Sequence, residues 1–180
     1  MKTVVVQVHP YGLYDPGLRD PVEMVGLDEY LSAVANLIAA NADSISAIII
    51  PGGMVSNGIY EADSIASQVK ARLFRSEPRI DLPIVTDLYP VSTISIVENG
   101  FRMVEESFAG QDLWLVCDKV RWLKTLYLAR HFHGAVRYRV FGFKRRDTSW
   151  RSNHFIQFLE LIAIIFKLEG VRRLVESRPE

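Results

Sequence analysis

IIIPGGMVSNGIYEAD, residues 48–63, is the stretch on which the fold turns. Three isoleucines in a row mark a buried β-strand, and Pro51-Gly52-Gly53 stops it abruptly. A helical pattern opens near Tyr60. Strand, glycine turn and helix together form the unit that exposes backbone N–H groups at a strand's carboxyl end, where α/β proteins bind ligands. The glycines match neither the phosphate loop with Gly-Lys-Ser/Thr nor the spaced-glycine dinucleotide fingerprint.

The rest of the chain repeats this alternation. Thr3 to Val8 is an apolar, β-branched strand, and Gly26 to Asn41 carries Leu27, Tyr30, Leu31, Val34, Leu37 and Ile38 at helical spacing. Ala47 to Ile50 is the second strand, and Ala62, Ile65, Ala66, Val69 and Leu73 form the next helix. A third strand is expected at Leu82 to Val85 and a third helix from Ser92 or Thr93, either of which can cap it. Asp112 to Cys117, a helix over about Arg121 to Phe132, and Val136 to Phe143 complete the strands, the last nearest a sheet edge. The final helix, Asn153 to Leu168, is apolar almost all round, with Gln157, Glu160 and Lys167 as its polar stripe. It is expected to be buried against the sheet or in a homodimer. The pattern predicts one α/β domain over residues 1–180, with 153–180 a C-terminal helix and tail. Its architecture is Rossmann-like, a three-layer α/β/α arrangement with a mainly parallel five-stranded sheet and the first strand central.

Composition narrows the class. At 180 residues and 49% hydrophobic, the chain suffices for a proper core. The single cysteine, Cys117, excludes an internal disulfide framework and fits a reducing compartment. The apolar start is broken at Gln7 and His9, and the longest apolar run, Leu161 to Phe166, is far short of a bilayer span. A cytoplasmic protein without a membrane anchor is expected. The net charge is zero but unevenly placed. Residues 1–118 hold 7 Lys/Arg and 16 Asp/Glu (net −9), and residues 119–180 hold 14 and 5 (net +9). Two solvated faces of opposite sign explain this, as does a site with one acidic and one basic wall, suited to a small anionic or zwitterionic ligand. Nucleic acid is not expected, because the basic half lacks a binding motif.

In a parallel sheet the strand-end loops converge on one edge: His9–Gly12, Pro51–Gly58, Thr86–Thr93, Cys117–Arg121 and Gly142–Trp150. Candidate ligand-binding residues there are Gly52, Gly53, Glu61, Asp87, Ser92, Thr93, Glu98, Asn99, Asp118, Arg121 and Lys124. Glu61, Asp87 and His9 are the catalytic candidates. Arg121 and Lys124, three apart, are expected on one helix face, with Lys119 before them and Lys144-Arg145-Arg146-Asp147 after the fifth strand, as partners for a phosphate or carboxylate. A solvated loop remains the plainer reading of these charges, a helix-stabilising carboxylate that of Glu61, and surface placement that of Asn99. Cys117 reads as a packed small residue rather than a nucleophile, and His131 and His133, two apart, diverge on a helix. No metal site is expected.

The segments PGGMVSNGIYEA, VSTISIVENG and LVCDKVRWLK, in that order, resemble the bacterial domain-of-unknown-function family that includes SanA, ElyC and YdcF. The resemblance covers roughly residues 1–145. It implies a Rossmann-like domain with a polar strand-end pocket, a link to cell-envelope biology in some members, and a nucleoside-type ligand such as S-adenosylmethionine. The matching positions are Gly52, Gly53, Glu61, Ser92, Thr93, Glu98 and Asn99. The chain departs from the family pattern at Asp87, which stands for a longer acid, at Cys117-Asp118 in place of Thr-Ser, and at Arg121 and Lys124 in place of His and Arg. The spacing from Thr93 to Asn99 is also longer. The expected function is ligand binding at the strand ends, with transfer or hydrolysis in an enzymatic version. The alternative is a non-catalytic regulatory or scaffolding domain.

Overall fold

The computed structural model describes residues 3–10, 14–15, 17, 20–56, 58–76, 78–90, 92–145 and 154–176, with backbone alone for 55–56 and 168–176. Strands β1 (Val4–Val8), β2 (Ile45–Pro51), β5 (Ile84–Asp87), β6 (Asp112–Asp118) and β7 (Tyr138–Phe143) form one parallel sheet in the order β5-β2-β1-β6-β7. A small antiparallel hairpin, β3 (Met54–Ser56) with β4 (Ile59–Tyr60), stands apart from it. Helices α1 (Pro21–Ala39), α2 (Glu61–Phe74), α3 (Thr93–Ser107), α4 (Trp122–Phe132) and α5 (His154–Glu176) connect and follow the strands. This is the expected Rossmann-like three-layer α/β/α fold with β1 at its centre.

The pleat of β1 sorts the core into two halves. Val4, Val6 and Val8 pack with Leu27, Leu31, Ile38, Ile65 and Val69 of α1 and α2. Val5 faces the other way, into a cluster with Val97, Phe101 and Val104 of α3 and Leu128 of α4. Alternation of side chains along a strand requires both faces to be apolar when both are covered, which is why the strand reads as an unbroken run. Among the described residues, no helix is long and apolar enough to cross a membrane.

Several boundaries move. Helix α1 begins at Pro21, earlier than Gly26, because the Asp20 carboxylate accepts a hydrogen bond from Val22 N at 2.8 Å and proline suits the first helical position. Strand β5 lies two residues later than Leu82 to Val85. Pro83 lacks an N–H for the ladder and serves only through its carbonyl, which accepts from Ile48 N at 2.9 Å, while Thr86 and Asp87 pair with Ile50 and Pro51. The β3–β4 hairpin fills what reads as a plain loop. Helix α5 runs on to Glu176, past Leu168.

The turn in the opening stretch is tight. A Cβ on Gly52 would stand 2.8 Å from the Ala62 backbone nitrogen and 3.0 Å from Glu61 Cβ, so only glycine lets the strand end lie against the start of α2. Gly52→Ala is expected to lower stability by roughly 1–3 kcal/mol, the range for forced overpacking. Urea unfolding checks this, and a loss within measurement error would show that the turn yields freely.

Candidate functional site

Among the described residues, the buried polar or charged side chains are Gln7, His9, Asp87, Asp118, Lys124, Thr125, Arg145 and Gln157. All lie at or beside the carboxyl ends of the sheet strands or in the first turn of the following helix. Burying such groups is unfavourable unless they are satisfied, so their gathering at one edge makes it the candidate site. The edge includes the crevice between β1 and β6, where successive connections leave to opposite sides of β1 and α/β folds seat their ligands.

His9 occupies that crevice. Its backbone N–H donates to Val116 O at 2.8 Å, and the Tyr30 hydroxyl of α1 lies 2.9 Å from His9 O and 3.1 Å from Val116 O. The imidazole is fully buried. Gln7 spends its amide N–H on Ile96 O at 2.9 Å, which leaves its oxygen facing His9 Nε2 at 3.3 Å. That network places the ring proton on Nε2, so Nδ1 is an unprotonated acceptor, and it has no hydrogen-bond partner among the described residues. Burial, then the charges of Arg121 and Lys124, push the His9 pKa down to about 3. The ring is neutral at physiological pH, an acceptor rather than a strong base.

On the α4 side, Asp118 accepts a hydrogen bond from Arg121 N at 2.9 Å and pairs with the Arg121 guanidinium. Arg121 is the N-cap of α4 and Lys124 lies in its first turn, three residues on. Lys124, only 5% exposed, meets Glu160 of α5 at 2.6 Å. Both cations expected to form an open basic wall are thus balanced by carboxylates of the chain itself. Lys119 and Lys144 are exposed, and Arg146 and Asp147 lie outside the described residues. Burial pushes the Cys117 thiol up to about 12, against the pull of the Thr125 hydroxyl beside it, which suits a packed thiol and not a nucleophile.

On the α2–α3 side, Asp87 is buried and accepts from Asn99 Nδ2 at 3.2 Å. Arg102 in turn donates to Asn99 Oδ1 at 2.9 Å, so Asn99 is a structured partner of Asp87 rather than a surface amide. Gly52 donates its N–H to Asp87 O at 2.9 Å, and Gly53 O accepts from Glu61 N at 3.1 Å. The Gly52 amide therefore ties β2 to β5 and does not face a ligand. Glu61, half-buried, opens α2 as expected. Ser92 is committed to a capping box with Ser95, Thr93 begins α3, and Glu98 is exposed. Ser92 thus serves to cap the helix, and neither Thr93 nor Glu98 is among the buried polar groups. Gln7, Tyr30 and Thr125 belong to the buried edge and were not singled out as site residues, and Gln157 and Glu160 read only as members of a polar stripe. An apolar strand broken by Gln7 just before His9 was the available signal.

His131 stacks edge-on against Phe132, and His133 lies against Tyr138. No group of three or more metal-ligating side chains occurs among the described residues. An open hollow lined by Lys70, Asp81, Leu82, Pro83 and Ile84 lies at the opposite end of β5. Compared with protein-family models, curated proteins and solved structures, the chain matches none.

The state of His9 sets a pH dependence. Its folded pKa of about 3 lies below the ordinary 6.5, so between these values the unfolded chain binds the proton that the folded one refuses. The His9 contribution is fully present above pH 6.5 and falls, by up to about 1.4 kcal/mol per pH unit, as the pH drops toward 3. Denaturant unfolding from pH 7 to 4 should show that slope reduced in His9→Asn. Equal slopes in both proteins would contradict a buried neutral imidazole.

Proposed function

We propose that this chain is a YdcF-like α/β domain that binds a small anionic or nucleoside-type ligand at the carboxyl edge of its sheet. The observation that carries this reading is the confinement of the buried polar groups to that edge, with His9 Nδ1 left as a bare acceptor. Helix α4 supports it further. Its N-terminus has no side-chain cap, so its first-turn amides and the dipole favour a carboxylate or phosphate. Lys124 would supply the charge, the incoming anion exchanging with Glu160. On the other side, Asp87, Asn99 and Glu61 suit the amine and hydroxyl groups of a nucleoside such as S-adenosylmethionine. His9 Nδ1 would accept one ligand N–H or O–H.

Transfer or hydrolysis at this edge would draw on Glu61 or Asp87 as acid or base, with the α4 amides and Lys124 stabilising developing negative charge. His9, held near pKa 3, serves better as an acceptor than as the general base. A buried free thiol at Cys117 is in keeping with a reducing, cytoplasmic setting.

Thermal unfolding in the presence of S-adenosylmethionine, nucleotides and sugar phosphates tests the proposal. At a hundredfold excess over Kd, a true ligand should raise Tm by roughly 5–10 °C. Lys124→Met should abolish that shift, whereas Glu160→Gln should enlarge it, because the internal competitor is gone. No shift from any of these compounds, or equal shifts in wild type and Lys124→Met, would defeat the reading.

A further inference from the structure

Lys124 and Glu160 form an unequal pair. The Lys124 side chain is 5% exposed and that of Glu160 is 42% exposed. A buried ammonium needs an anion beside it, whereas a carboxylate already partly in water returns there at little cost. The pair therefore exchanges from one side only. A dissolved anion can take the place of Glu160, while Lys124 stays where the start of α4 sets it.

That place has the makings of a ligand subsite. Lys124 lies in the first turn of α4, whose N-terminus has no side-chain cap, so amides and dipole add to the ammonium in favouring negative charge. The charges of Arg121 and Lys124 bear on His9, whose ring is fully buried and whose Nδ1 has no partner among the described residues. Glu160 answers the ammonium and leaves the Nδ1 acceptor unanswered, as an internal stand-in for half of a ligand does.

The helix that carries Glu160 is shallowly docked. Helix α5 packs on α4, yet among its described side chains, residues 154–167, only Gln157 is buried. Every apolar one is half-buried or exposed. An element that buries so little apolar surface lies at the low end of the stability range and opens without unfolding the domain. We propose that α5 is an autoinhibitory strap: Glu160 holds the anion position on Lys124, and a ligand phosphate or carboxylate that takes this position releases α5 from α4. The inference rests on the ligand reading above and adds its regulation. By reciprocity, whatever loosens α5 tightens anion binding.

Hydrogen exchange on the full chain, with inorganic phosphate against chloride at matched ionic strength, separates this exchange of anions from salt screening. Binding counts where Lys124→Met removes it. Saturating phosphate should speed exchange of the α5 amides at least about fivefold, the lower end of ordinary coupling, and leave those of β1 unchanged. Glu160→Gln should bind phosphate at least about fivefold more tightly by calorimetry. So should Ile164→Ser, which loosens α5 beside the α3–α4 core without touching the ion pair, and which carries the comparison if the first variant fails to fold. Phosphate that binds at Lys124 but leaves α5 exchange unchanged, or slows it, would overturn the strap and leave the ligand reading standing. Unchanged affinity in the folded variants would do the same. No phosphate binding to the wild type or to either variant would remove the anion site on which both rest.

Discussion

The constraint on which the rest of this structure depends is the double pairing of β1. Val4–Val8 is hydrogen-bonded to β2 on one edge and β6 on the other, and its faces are covered by α1 and α2 on one side and α3 and α4 on the other. Within that strand no polar side chain meets water, so each must be satisfied by the protein. Gln7 is accordingly fixed between Ile96 O and the His9 ring, and Gly100 leaves room for it, since a Cβ there would stand 2.5 Å from the Gln7 amide. Tyr30 closes the same corner from α1. One strand thereby pins helices from both layers, and the polar groups it cannot bury in its middle collect where it ends.

That edge is electrostatically closed rather than open. Lys124 and Asp118 are nearly buried, and a lone charge at either position would be costly to desolvate. Arg121 offsets Asp118 locally, through three residues of chain, whereas Lys124 depends on Glu160 from a distant helix. Any anion binding at this edge would therefore have to exchange with a resident carboxylate, since both cations are already balanced. His9 contributes no net charge, because adding a proton beside those two cations in a dry crevice is unfavourable.

The fold was legible because its signals are local. Val4–Val8, Ile48–Ile50 and Leu113–Cys117 are apolar runs long enough for strands and too short for helices, and the intervening helices show clear periodicity. The sheet edge at which the buried polar groups gather followed from strand alternation alone. Asp87 and Asn99, twelve residues apart, were both candidates, but their contact was not legible, since it depends on how α3 lies over β5. The commitments of Arg121 and Lys124 were harder still. Nothing local shows that Lys124 faces Glu160, thirty-six positions on, or that Gly52 spends its amide on Asp87. The direction in which the polar stripe of α5 turns was not legible for the same reason. On a helix apolar almost all round, a few polar residues read as the solvent face unless their buried partner is known.

The orientation of α5 and the burial of Lys124 have one cause. A lysine in the first turn of α4 is placed by the β6–α4 turn, and its ammonium has to find an anion inside the protein. Glu160 supplies it, and a helix carries its whole circumference with it. Once the face bearing Gln157 and Glu160 turns inward, helical geometry sends Phe155, Phe158 and Phe166 outward. The exposed stripe is thus the geometric consequence of satisfying one buried charge. The Lys124–Glu160 pair is thereby the joint between α5 and the edge of the sheet.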